Sequence, residues 1–176
     1  MVALFYNFVL IVLWFYFDYM LCHEIYKYGI ARAGARPSKY LKRSAYALKV
    51  VQFGQILNIP LAIVGVSKTA LLPECLNVFC RAMFCYVSVE NFDENSGPFV
   101  LLAFIAFGIA EPIRYPYYLL KILDFENHPI GKFFGHLRFN LFILFYPLGA
   151  LCDGLTTYYA SENMRKLGHY SLLMPN

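Results

Sequence analysis

Residues 2–22, VALFYNFVLIVLWFYFDYMLC, form an apolar run long enough to cross a bilayer. The hydrocarbon core takes about 20 predominantly apolar residues of α-helix per crossing. Lipid offers no partner for free backbone N–H and C=O groups, so a spanning segment of this length must be helical. The run lacks a basic n-region and a small-x-small cleavage site and exceeds the core of a signal peptide. It therefore reads as a retained first crossing.

The rest of the chain repeats the pattern. Spans are expected at about 2–22, 45–67, 72–90, 98–122 and 135–159, making residues 1–176 one transmembrane domain. The fold class is all-α, a polytopic membrane helical bundle of about five transmembrane helices. Composition agrees: 60% of residues are hydrophobic and 15% charged, where soluble domains carry about 25% charged residues. The formal net charge is +4, and cations gather in the segment 23–49 that leads from the first span into the second: Lys27, Arg32, Arg36, Lys39, Lys42, Arg43 and Lys49. A short loop between apolar spans is no nucleic-acid surface, and the positive-inside rule places it in the cytosol. Cys22, Cys75, Cys80, Cys85 and Cys152 lie in or beside apolar runs without metal spacing, as small packing residues.

The second span is the most polar. Lys49, Gln52, Gln55 and Asn58 recur at near-helical spacing and form a stripe that should face the bundle, and Pro60 should kink it. Asn77 and Arg81 lie four apart on the third span, on one face. Gly131 and Gly135, in GKFFG at a span boundary, read as loop. No internal repeat suggests a transporter of inverted halves. The four histidines make no metal pair, and no metal site is expected.

Ionisable residues inside spans cost about 2.5–3.5 kcal/mol each to insert, so they face inward and find partners. The set here is Arg81, Glu111, Arg114, Arg138 and Asp153, with Tyr146 among them. Glu111 and Arg114, three apart, can pair on one helix. Arg81 and Arg138 need carboxylates from other helices, or a bound anion. Tyr146 and Asp153, seven apart, share a helix face about 10 Å apart along the axis. A phenol and a carboxylate facing one cavity can act as an acid–base pair. The same residues can equally be a hydroxyl anchor and an arginine counter-charge.

The ordered motifs resemble a family. FYPLGALCD at 145–153 is similar to the tyrosine-proline-x-glycine-x3-acid signature of the very-long-chain (3R)-3-hydroxyacyl-CoA dehydratases, also called protein tyrosine phosphatase-like proteins. AEPIRYPYYLL at 110–120, LNVFCR at 76–81, YNFVLIVLW at 6–14, LRFNLFILFYPLG at 137–149 and HYSLLMPN at 169–176 resemble further segments, in order.

The resemblance implies six helices, of which the sixth and a basic tail would follow Asn176. It implies removal of water from a long-chain 3-hydroxyacyl-CoA to give the trans-2-enoyl-CoA, in fatty acid elongation at the endoplasmic reticulum membrane. It implies Tyr146 and Asp153 as the catalytic pair, with Arg81, Arg114, Arg138, Glu111 and Asn77 supporting the site or binding substrate. It implies no metal or organic cofactor, and as partners the substrate, the bilayer and other elongation enzymes, with no nucleic acid.

Four positions depart from the family pattern. Asp153 stands for a glutamate, which sets its carboxyl back by about 1 Å, a misplacement that can cost about 100-fold in rate. Asn58 stands for a glutamate, Leu61 for a histidine and Asn77 for a glutamine. The shortened acid, Asn58 and the want of the expected sixth helix support the alternative reading, a catalytically weakened or inactive paralogue acting as a membrane interaction or scaffold protein of the elongation complex.

Overall fold

A computed structural model describes residues 2–64, 71–85 and 97–167. The regular elements among them are helices: α1 (Val2–Tyr28), α2 (Ile30–Ala35), α3 (Pro37–Tyr40), α4 (Lys42–Ile56), α5 (Asn58–Ile63), α6 (Leu71–Met83), α7 (Gly97–Ile122) and α8 (Pro129–Leu167). Four stretches are long and apolar enough to cross a membrane: Val2–Tyr28, Lys42–Ile63, Gly97–Ile122 and Pro129–Lys166. The chain is thus a helical membrane bundle. Its outer surface carries Phe5, Phe8, Phe15, Phe53, Phe139 and Ile143, all exposed. Such a surface would be a liability in water and suits contact with acyl chains. Of the third expected span, α6 covers the first part, and residues 86–90 lie outside the described ones, as does the tail motif at 169–176.

α7 is the central element. It packs against α1 and α8 and receives α2 and α3 near its start, while α4 packs against α1 and α6 and reaches α7 through Gln55. The core is an aromatic stack. Trp14 meets Phe17 edge-on at 5.5 Å, Phe17 meets Phe104 at 5.8 Å, and Phe84 meets Phe107 at 5.6 Å. Edge-to-face rings with centroids in this range are a favoured arrangement beyond simple burial. Trp14 is therefore a core residue, with no exposure at all.

The loop between the first two spans is a tucked turn. Ala33, Gly34, Pro37 and Leu41 are buried beneath the start of α7. Gly97 approaches the Gly34 carbonyl so closely that a Cβ there would collide with it.

The expected kink at Pro60 falls earlier. α4 ends at Ile56 and Leu57 N–H bonds the Gly54 carbonyl at 3.3 Å in a tighter turn. A proline ring clashes with the carbonyl four residues before it, here that of Ile56, so the helix gives way ahead of Pro60.

The turn from α7 to α8 uses Asp124 at φ 56, a left-handed conformation that aspartate tolerates better than most residues. α8 then opens on Pro129, where a missing N–H costs nothing. Gly131 and Gly135 belong to α8 and not to a loop. Both pack closely: a Cβ on Gly131 would strike the Phe125–Glu126 backbone, and one on Gly135 would sit 3.3 Å from the Tyr117 ring. The glycines serve helix entry and the α7–α8 contact. α8 continues through Pro147 and Gly149.

Candidate active site

The buried polar groups of α4, α6, α7 and α8 converge between the helices. Arg81 on α6 is 7% exposed, and its Nη1 lies 2.5 Å from Glu111 Oε1 on α7. Glu111 is 1% exposed, and its Oε2 lies 3.2 Å from Arg114 Nε, one turn further on. A buried charge without a partner is strongly destabilising, and one carboxylate here answers two guanidinium groups. Arg81 also lies over the Phe107 ring, 4.8 Å from its centre, which adds a cation–π contact. The Glu111–Arg114 pairing follows from their spacing; the partner of Arg81 does not, since it comes from another helix.

Tyr115, fully enclosed, ties α4 to this cluster. Its hydroxyl accepts hydrogen bonds from Gln55 Nε2 and from Arg114 Nη2, both at 2.8 Å. Gln52 and Gln55 are buried, as the polar stripe on the second span requires.

Asp153 on α8 is half-buried. Its Oδ1 is enclosed and has no hydrogen-bond partner among the described residues. Arg81 lies within its electrostatic reach. Cys85, one turn beyond Arg81, feels both of them and Lys49.

Tyr146 stands elsewhere. α8 turns Gly149, Cys152, Thr156 and Ala160 inward, and Tyr146 is 50% exposed, its ring stacked on Phe142 at 4.6 Å. No hydrogen bond joins Tyr146 to Asp153 among the described residues. A seven-residue spacing leaves the two only about 20° apart around the helix, yet the described residues place the acid toward the bundle and the phenol on its outer rim. A Cβ on Gly149 would sit 3.8 Å from the Phe107 ring of α7, and Tyr146 lies outside the line of buried residues that Gly149 begins.

Arg138 is separate from the Arg81–Glu111 cluster. It donates to the Tyr118 hydroxyl at 3.3 Å and lies over the rings of Tyr117 and Tyr118 at 5.0 and 5.1 Å. Among the described residues its contacts are with aromatic faces from α7 and not with the carboxylate expected for it. Arg138 and Phe142 also line an open cleft of about 690 Å³. Asn77, half-buried on α6, sits one turn before Arg81.

Two carboxylates escaped the sequence reading although an acid within a span is itself a signal. Asp18 on α1 faces Gly108 of α7, where a Cβ would come within 2.5 Å of its Oδ1. Glu24, 4% exposed near the end of α1, reaches the start of α4.

These features define a polytopic helical membrane protein with a paired charge cluster enclosed among its spans. Over residues 52–176 the chain matches the family model described as protein tyrosine phosphatase-like protein, PTPLA. It belongs to that family. It is 32% identical over 130 residues to very-long-chain (3R)-3-hydroxyacyl-CoA dehydratase 2 of Mus musculus, covering 73% of this chain and 50% of that protein. A Gallus gallus protein named very-long-chain (3R)-3-hydroxyacyl-CoA dehydratase is 29% identical, covering 74% of this chain and 34% of the relative. A Caenorhabditis elegans dehydratase of the same name is 28% identical over 84% of this chain and 66% of its own length. The chain thus spans about half the length of the mouse relative. No solved structure matches.

The family's older description invites one check. Cys75 and Arg81 do stand at the C-x5-R spacing of tyrosine phosphatases. Here, however, both residues lie on helix α6 and Arg81 is committed to Glu111. A phosphatase needs those residues to bracket a loop whose free backbone N–H groups cradle phosphate. A helix interior uses its N–H groups internally, so the spacing carries no phosphatase chemistry.

Proposed function

We propose that this protein is a very-long-chain (3R)-3-hydroxyacyl-CoA dehydratase of fatty acid elongation, working in the endoplasmic reticulum membrane. The observation that carries the reading is its membership of a family whose named relatives are such dehydratases, joined to the presence of Tyr146 and Asp153 two helical turns apart on α8. The reaction removes a proton from C2 and the hydroxyl from C3, forming the trans C2–C3 double bond and water. One group accepts the C2 proton and the other protonates the departing hydroxyl, which is general acid–base work. Asp153 and Tyr146 are the residues proposed for these two tasks.

The two groups do not share one cavity among the described residues: the acid faces the bundle and the phenol its outer rim, so the substrate would have to reach between them. Asp153 has an enclosed oxygen that nothing described occupies, so it is available to a ligand. Tyr146 opens toward the bilayer side of α8, where a substrate whose acyl tail lies in the hydrocarbon can reach it. Arg81, Glu111 and Arg114 would hold α6 and α7 in register around Asp153, while Arg138 and Asn77 support the flanking surfaces. The proposed ligand is a long-chain 3-hydroxyacyl-CoA, and other elongation enzymes are the proposed partners.

The test is turnover. Protein in detergent is given a long-chain (3R)-3-hydroxyacyl-CoA and the enoyl product is followed. Wild type is expected to turn over, Tyr146→Phe and Asp153→Asn to lose turnover, and Asp153→Glu to raise it by restoring the reach of the carboxyl. Absence of product from both wild type and Asp153→Glu sinks the reading and favours the scaffold role.

A further inference from the structure

We propose that Glu111 is a positioning residue: by holding Arg81, it keeps that cation off Asp153 and leaves the Asp153 carboxyl free for proton transfer. The inference rests on the dehydratase reading for its purpose, though the arrangement itself can be tested without turnover.

The argument starts from charge. Two guanidinium groups, Arg81 and Arg114, share the enclosed region with two carboxyl groups, Glu111 and Asp153. Arg81 lies within electrostatic reach of both carboxyls. Had Arg81 closed on Asp153, the acid would be locked as a counter-charge and unable to exchange a proton readily. Instead Arg81 Nη1 is 2.5 Å from Glu111 Oε1, and its guanidinium is pressed against the Phe107 ring at 4.8 Å. Asp153 Oδ1 meanwhile is enclosed and unbonded among the described residues.

Arg114 completes the device. It holds the second oxygen of Glu111 at 3.2 Å and is itself fixed to the Tyr115 hydroxyl at 2.8 Å. Glu111 is thus anchored on the side away from Arg81. Among the described residues, the other groups that act on this spot are Cys85 beside Arg81, Lys49 on α4 through Cys85, and Cys152 next to Asp153. None is a carboxylate that could take over from Glu111.

A purely structural ion pair and a holding pair differ in one consequence. If Glu111 holds Arg81 away, removing Glu111 should send Arg81 to Asp153, and removing both should free Asp153 again. That is a sign-reversing double-mutant cycle, which loss of packing does not produce.

The experiment labels the protein in detergent micelles with dicyclohexylcarbodiimide, an apolar reagent for carboxyl groups not tied in ion pairs, and reads Asp153 by mass spectrometry against Asp18 as internal reference. Asp153 is expected to label in wild type. In Glu111→Gln its labelling should fall about tenfold or more, since a buried cation without its counter-charge is driven to the nearest carboxylate. In Glu111→Gln with Arg81→Gln it should return to the wild-type level. Turnover, where wild type shows it, should follow the same order, with kcat falling about 100-fold in the single variant and recovering in the double while KM changes little.

Arg81→Gln alone, which leaves Glu111 paired with Arg114, should change Asp153 labelling far less than Glu111→Gln does, with at most a modest rise from loss of a nearby cation, a measurement that stands even if Glu111→Gln does not fold. An unlabelled Asp153 in wild type, a rise of about tenfold or more in Arg81→Gln (the mark of an Asp153 already held by Arg81), or a double variant that stays dark would each overturn the proposal. The expected labelling order without any turnover would uphold the arrangement and remove the dehydratase reading.

Discussion

The Glu24 carboxylate on α1 accepts hydrogen bonds from the backbone N–H groups of Arg43 at 3.0 Å and Ser44 at 3.1 Å, and from the Ser44 hydroxyl at 2.5 Å. These N–H groups belong to the first turn of α4, where four donors have no partner within the helix. Leu41, the residue in the N-cap position, has no side chain able to serve. A neighbouring helix supplies the cap instead, placing an anion at the positive end of the α4 dipole.

Glu24→Ala is expected to lower stability by about 1–2 kcal/mol, the cost of a lost cap with donors left unbonded. Ser44→Ala removes only the hydroxyl donor and should cost about 0.5–1.5 kcal/mol. Heat or denaturing-detergent unfolding in micelles measures both. Equal stability of Glu24→Ala and wild type would show the cap to be idle.

Glycines should sort by what surrounds them. At Gly97 a Cβ meets the backbone of Gly34, which cannot swing aside, so Gly97→Ala should cost about 1–3 kcal/mol. At Gly154 nothing lies within 4 Å, so Gly154→Ala should gain up to about 1 kcal/mol in helix preference. The same unfolding measurement decides, and it is the opposite signs that matter.

Tyr115→Phe takes one acceptor from two donors, Gln55 Nε2 and Arg114 Nη2. A loss of about 1–3 kcal/mol is expected for buried donors left short of a partner. Tyr118→Phe, which loses only the longer 3.3 Å bond from Arg138, should cost less. Reversal of that order would contradict the hydrogen bonding described for α4 and α7.

Arg138→Lys should behave more like Arg138→Ala than like wild type. A planar guanidinium lies over both Tyr117 and Tyr118, and an ammonium cannot reproduce that stacking. Each variant is expected to lose about 0.5–2 kcal/mol of the α7–α8 contact, read as a lower unfolding temperature in micelles.

Much of this architecture was legible in the chain. Apolar runs announce helices because lipid permits little else. The stripe of Lys49, Gln52, Gln55 and Asn58 turns toward the bundle, since polar groups on a span avoid acyl chains. Glu111 and Arg114 could be paired from their spacing alone.

What the chain concealed lies between helices. Nothing in its periodicity says that Arg81 meets Glu111, because the relative rotation and height of α6 and α7 are set by packing. Tyr146 and Asp153 share a face by arithmetic, yet only the line of contact with α7 decides which of them is covered. Glu24 gave no sign of its role, because backbone N–H groups and a serine hydroxyl on another helix leave no mark in charge patterns. GKFFG was misjudged since two glycines signal a loop as readily as a close helix contact.

The Arg81–Glu111 pair has a consequence for how the protein is made. α6 leaves the ribosome with its arginine before the glutamate that answers it exists, because α7 comes later in the chain. A lone arginine enters lipid reluctantly. Biogenesis of this bundle must therefore keep α6 at the insertion machinery, or at the membrane surface, until α7 arrives, and the two helices settle into the bilayer as a couple.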